Sequence, residues 1–353
     1  MPPTAPRRQI TAVGVLTAVA GTALFAWLVW TVGPGEIWAG FRQIGWNLGW
    51  ILLLGGLRFA VRAAAWGVCI EPPHRLPLTS AFSAVVSGDA LGNATPLGPL
   101  VGEPAKVASV RNRVPVAVAL TALAIENVFY TLSVALMIAA GAVALILVSA
   151  AAGGIEVPQA LRHVSEVAVA AIALLFAAAG WVLWRRPAVI DTLFRARGRA
   201  ASAGDLPRSG WGARADKLRA IEREVLTFAS RRRGALVPIV LLELTFHALG
   251  VAEKHLTLWL ILPSPPTLLT SFIVETADRL ITVAFKFVPF QVGVGEVGTA
   301  LVTQILGLGA APGVTLSIVR KARMGIWSLA GTALLIRRGL TRRRLLDDPE
   351  LNG

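Results

Sequence analysis

Charged side chains recur at helical spacings inside otherwise apolar stretches, and they are the residues that could do chemistry here. Arg58 and Arg62 stand four apart in the run from Trp46 to Ile70, which stacks them on one helical face. Glu103 and Lys106 follow a Gly- and Pro-rich stretch, and Glu126 is the lone charge between Val114 and Ile155. Glu275, Asp278 and Arg279 crowd another apolar run, and Arg320, Lys321 and Arg323 interrupt the run from Pro312 to Ile336. Ionisable groups at membrane depth are costly and mark ligand or ion pathways. Cations of this kind hold phosphate or another anion, while carboxylates balance them or titrate. Snorkelling of Arg58 and Arg62 to an interface is the bland alternative, but both lie several residues inside their span.

Other chemistries have no support in the sequence. Four scattered histidines, with no HExxH, no CxxC and no GxxxxGK[ST], give no zinc, redox or P-loop motif, so neither metal nor cofactor is expected. Cys69, the single cysteine, sits in an apolar run and excludes a disulfide framework. Glu275 and Asp278 leave open general acid or base chemistry on a lipid.

The elements that must position these residues are transmembrane. Of 353 residues 55% are hydrophobic and 15% charged, with mean hydropathy +0.66, the composition of a polytopic membrane protein. The net charge of +14 is concentrated in the segment 185–233, with thirteen Lys or Arg against five Asp or Glu, and in the tail 338–353. Flanking apolar spans, such runs are positive-inside signals rather than a nucleic-acid patch.

Six full spans are expected: 10–35, 46–70, 114–155, 164–184, 235–262 and 312–336. Both termini would be cytoplasmic. Leu218, Ile221, Val225 and Phe228 predict an amphipathic helix in the basic loop, lying on the inner leaflet or docked on the protein. Glu243, His247 and Lys254 form a polar stripe on the fifth span. A single histidine there is more often a satisfied core residue than a ligand.

Two stretches cannot be ordinary spans. Seven Gly or Pro residues fall between Gly88 and Pro104, breaking helical bonding where backbone is tolerated only inside protein or a wet cavity. Pro96, five residues, then Gly102-Glu103 matches Pro289, five residues, then Gly295-Glu296; Pro115 precedes Glu126 by eleven positions, as Pro312 precedes Arg323. This predicts a duplication, repeat A over 46–150 and repeat B over 235–337. Each has a re-entrant helical hairpin, entering from opposite sides. Inverted repeats with broken helices belong to alternating-access transporters. The second half-helices are expected to begin near Gly102 and Gly295, so that Glu103 and Glu296 either compensate a helix dipole or pair with Arg58, Arg62, Arg320 or Arg323. Glu126 is expected to face Arg323.

At these residues the chain resembles the lysylphosphatidylglycerol synthase transmembrane, flippase-like family. The resemblance is carried by Asn93 to Lys106 (N-x-x-P…G-E-x-x-K), Glu126 in IEN, Glu275 in FIVETADRL, VPFQVGVGEVG from Val288 and VRKARMGIWSLAG from Val319. The second-repeat motif is most similar to a subgroup of hopanoid biosynthesis loci. Lys106 stands where the family usually has Arg, and Asn127 and Tyr130 depart from its Glu-Arg-x-x-Asp. The resemblance implies a single all-helical transmembrane domain with re-entrant helices that moves lipid head groups across the bacterial cytoplasmic membrane. Seventeen residues after Ile336 leave no room for the soluble aminoacyl-transferase domain of fused relatives, so synthase activity is not expected. The expected function is lipid translocation, with Arg58, Arg62, Lys106, Arg320 and Arg323 holding a polar or anionic head group. Glu103, Glu126, Glu275, Asp278 and Glu296 would balance them, with Asn93, Pro96, Gly102, Arg279, Pro289 and Gly295 lining the site. The alternatives are a membrane-embedded enzyme and an accessory partner of lipid-biosynthesis enzymes.

Overall fold

Long apolar helices carry the architecture, joined by short ones where Gly and Pro interrupt the chain. The computed structural model describes residues 30, 34–93, 98–151, 227–228, 230–286, 288 and 291–337. The expected spans 10–35 and 164–184, most of the basic loop, the tail, Pro96 and Pro289 lie outside the described residues. All regular structure among the described residues is helical: α1 (Pro34–Ile44), a 3-10 turn (Gly45–Asn47), α2 (Leu48–Cys69), α3 (Leu78–Asn93), α4 (Gly98–Val110), α5 (Val116–Ala151), α6 (Arg233–Ile261), α7 (Leu268–Ala284), α8 (Val294–Ile305) and α9 (Ala310–Arg337).

Three of the described helical stretches are long and apolar enough to cross a membrane, Arg42–Cys69, Val116–Val148 and Arg233–Ile261. The second is one continuous helix, as the positive-inside pattern required. α9 has 28 residues, about 42 Å at ~1.5 Å per residue, but three charges in its middle reduce its hydropathy. α3 and α4, with 16 and 13 residues, reach only about 24 and 20 Å. Each is too short to cross the roughly 30 Å hydrocarbon core.

Glycine permits the α3–α4 pairing. A Cβ on Gly102 would lie 2.7 Å from the carbonyl oxygen of Gly88, so the two backbones touch, as small residues allow between membrane helices. The same device recurs where α9 crosses α3, with Gly331 against Val86, and where α5 crosses α7, with Gly141 against Thr276. The packing is reciprocal between the two halves: α2 packs on α6, α9 on α3, and α7 on α5. α9 thus covers α3, and α5 covers α7.

The largest buried cluster gathers Trp66, Ala84, Val107, Leu123 and Ile239, and the Trp66 indole donates to the carbonyl of Ala119 at 3.2 Å. Phe228 is 1% exposed within this cluster. The end of the basic loop therefore docks on the protein at that residue. Arg232 fastens it further, donating to the carbonyls of Val68 and Ile70 at the C-terminal end of α2.

Candidate functional site

The charged residues of the apolar helices meet in the interior as a connected set of ion pairs. Its hub is Glu253 on α6, 3% exposed, which accepts from Arg58 Nη1 of α2 at 3.2 Å and lies 2.8 Å from Arg323 Nε of α9. Arg58 also lies 3.6 Å from Glu275 of α7, and Arg279 donates to the same Glu275 oxygen through Nε and Nη2, at 2.9 and 2.7 Å. Three helices that share no local sequence, α2, α6 and α9, are joined at Glu253. Glycines make room for it: a Cβ on Gly55 would meet Arg323 Cδ at 2.8 Å, and one on Gly250 would press on the Glu275 carboxylate.

A second group surrounds Asp278. It lies 3.1 Å from Lys254 Nζ and accepts from Arg320 Nη1 at 2.6 Å. Arg320 Nη2 donates to Gln291 Oε1 at 2.6 Å, tying the ion pair to the approach to α8. Glu296 caps that helix, accepting from the backbone N–H of Gly293 at 2.9 Å and pairing with Lys321. Gly293 has φ +85°, the left-handed region that glycine enters without a Cβ clash. Gly295 is buried beside Ser317 and Arg320.

The third group lies at α2, α4 and α5. Arg62 Nε lies 2.8 Å from Glu126, and Arg62 Nη2 donates to both Glu126 and Asn127. Asn127 in turn donates to Glu103 at 3.2 Å, and Lys106 Nζ donates to Glu103 at 2.8 Å. Aromatic faces cover the cations, with Arg62 over Tyr130 at 3.7 Å and Arg58 over Phe246 at 4.5 Å, which offsets part of their desolvation. Asn93 caps nothing among the described residues; its amide donates to Asp89 at 2.8 Å.

Three expectations from sequence are corrected. First, α4 includes Gly98, so Glu103 sits past the first turn and is not an N-terminal charge; only Glu296 of the two occupies that place. Second, Glu103 and Glu296 pair with Lys106 and Lys321, the nearest cations in space, rather than with Arg58, Arg62, Arg320 or Arg323. Third, Glu126 pairs with Arg62 and Arg323 with Glu253. The aligned positions Glu126 and Arg323 each bind the first long helix of their own half, with the charges reversed. Sequence reading also passed over Glu253 and Gln291. Glu253 stands next to Lys254 in a helix otherwise read by its polar stripe, and a second charge at that depth was the available signal. Gln291 is neutral and carried none.

The arrangement holds several buried ionisable groups of each sign in mutual compensation, which lowers the cost of placing charge in a low-dielectric interior. A ligand carrying charge could replace an internal partner without stranding the other. Among the described residues no cluster of His, Cys, Asp or Glu has the grouping of a metal site, and Cys69 is buried and free.

A family model described as the lysylphosphatidylglycerol synthase TM region matches residues 11–331. No curated protein and no solved structure matches the chain.

Proposed function

The chain belongs to the lysylphosphatidylglycerol synthase TM region family, a membrane domain with a lipid-related role, and from that premise we propose that it is an integral membrane lipid translocator. It moves a polar or anionic lipid head group across the bacterial cytoplasmic membrane while the acyl or prenyl chains stay in lipid. The observation that carries this reading is the Arg58–Glu253–Arg323 hub with its neighbours at Glu275 and Asp278. Compensated charge so deep in apolar helices is expensive to maintain and fits a path for a charged group. Arg58, Arg62, Lys106, Arg320 and Arg323 hold the head group, and the carboxylates exchange partners as it passes.

Reciprocal packing of α9 on α3 and α7 on α5, with the aligned Glu126 and Arg323, supports two inverted repeats whose short helices re-enter the membrane. Residues 46–150 and 235–337 are those units, within one transmembrane domain. Both termini are cytoplasmic. The motif from Val288 to Gly298 favours the hopanoid-locus subgroup and hence a cargo from polycyclic or related lipid synthesis.

Reconstitution tests the proposal. Liposomes containing head-group-labelled phosphatidylglycerol, phosphatidylethanolamine or a labelled glycolipid are exposed to an impermeant quencher, and the protein is expected to speed loss of inner-leaflet protection for at least one of them. Rates equal to empty liposomes for all of them refute translocation. A new lipid product formed by the purified protein in detergent would instead establish a membrane-embedded enzyme.

A further inference from the structure

The buried carboxylates Glu126, Glu253, Glu275, Asp278 and Glu296 each face a cation. Glu243 on α6, 4% exposed, has no ion pair among the described residues. Its Oε2 lies 3.0 Å from Ser133 Oγ of α5. The same hydroxyl lies 3.0 Å from His247 Nε2, one turn along α6, and 2.8 Å from the carbonyl of Tyr130. Glu243 Oε1 and His247 Nδ1 are buried without a hydrogen-bond partner.

Counting protons picks out the state of this cluster that satisfies every contact. Ser133 has one O–H to give and two lone pairs to receive with. The Tyr130 carbonyl can only accept, so making all three contacts hydrogen bonds at once sends the hydroxyl proton there. Both remaining contacts must then be donated to Oγ: His247 supplies Nε2–H, and Glu243 supplies a carboxyl O–H. An ionised Glu243 would have to take the Ser133 proton away from the 2.8 Å Tyr130 contact and would lie buried with no cation paired to it among the described residues.

We propose that Glu243, Ser133 and His247 form a proton-binding site that couples lipid movement to proton transfer; the coupling rests on the translocator reading, while proton binding does not. On release, the Glu243 O–H bond breaks, the proton leaves to water, and a carboxylate remains. That carboxylate draws on Arg62, the charged neighbour that acts on it through space, in competition with Glu126. Arg62 also holds Asn127, which donates to Glu103, so the protonation state of one residue reaches the hairpin. Among the described residues, the other charged or titratable groups around the site are Arg58 and Cys69 from α2, Glu126 and Tyr130 from α5, and Arg279 with its partner Glu275 from α7. Arg58 and Arg279 lie over Phe246, whose ring meets His247 at 5.4 Å. α1 and α9 meet α6 further along, from Glu253 to Ile261.

Two measurements decide the proposal. Infrared spectra of the purified protein near neutral pH are expected to show a protonated-carboxyl C=O stretch that E243Q removes and S133A shifts. A spectrum without that band, or a band that survives E243Q, overturns the proton site. In liposomes of phosphatidylcholine and phosphatidylglycerol carrying fluorescent head-group-labelled phosphatidylglycerol, wild-type label movement is expected to respond to an imposed pH gradient. E243Q, held in the protonated shape, is expected to lose that response. An E243Q response equal to wild type, or a wild-type rate indifferent to the gradient, overturns the coupling. A wild type that moves no labelled lipid of any class strikes the translocator reading, and the infrared band then decides proton binding on its own.

Discussion

Replacing Glu253 with Gln tests the hub directly, because one carboxylate serves two arginines from different helices. Its separation from Arg323 Nε is 2.8 Å and from Arg58 Nη1 3.2 Å. At an effective dielectric of about 20, such contacts are worth roughly 6 and 5 kcal/mol before desolvation. Arg58 keeps Glu275 at 3.6 Å and its stacking on Phe246, so most of its charge stays compensated. Arg323 keeps no other ion pair among the described residues. The expected net cost is therefore that of breaking one buried pair, about 3–5 kcal/mol, rather than the sum of both. The assay is equilibrium unfolding of the detergent-solubilised protein, with E253Q, R323M and the double variant compared as a cycle. E253Q/R323M is expected to be more stable than E253Q alone, since removing the stranded cation relieves the penalty. If E253Q costs less than about 0.5 kcal/mol, as a solvated pair would, or if R323M fails to restore stability, the hub is not the dry junction described.

Three further outcomes follow from the same contacts. Exchanging Arg62 and Glu126, as R62E/E126R, is expected to recover part of the unfolding stability that either single change loses, and no recovery would refute their direct pairing. Gly102→Leu sets a side chain against the backbone of Gly88 and is expected to spread α3 from α4, lowering thermal stability by the roughly 1–3 kcal/mol of an overpacked contact; an unchanged melting temperature would contradict the close approach. Cysteines at Thr95 and Val292, between the short helices of each half, are expected to react with impermeant thiol reagents from opposite sides of a sealed membrane, and labelling from one side only would sink the inverted arrangement.

Most of the helices were legible because helix formation and membrane burial are written locally. The span expected over 46–70 is α2 at Leu48–Cys69, the broken stretches give α3–α4 and α7–α8, and the uncharged run around Glu126 is a single long helix. The lower limit of α4 was missed because Gly98 and Pro99 look like helix breakers, yet Pro is tolerated in a helix's first turn, where no intrahelical donor is required. Ion-pair partners were harder. Arg58 and Arg62 share a helical face, but a four-residue step rises about 6 Å along the axis. That is enough for one to meet α6 and α7 while the other meets α5.

The sequence by itself determined that this is a membrane protein of helices, most of the charges that lie inside it though not Glu253, and the motifs by which it joins its family. These follow from composition, periodicity and short-range spacing. Only the tertiary structure decided that Glu253 joins Arg58, 195 positions away, to Arg323, that Lys321 rather than an arginine binds Glu296, and that Glu243 has no ion pair among the described residues. Such partnerships depend on how helices remote in sequence rotate and cross, a property of packing that no local pattern encodes.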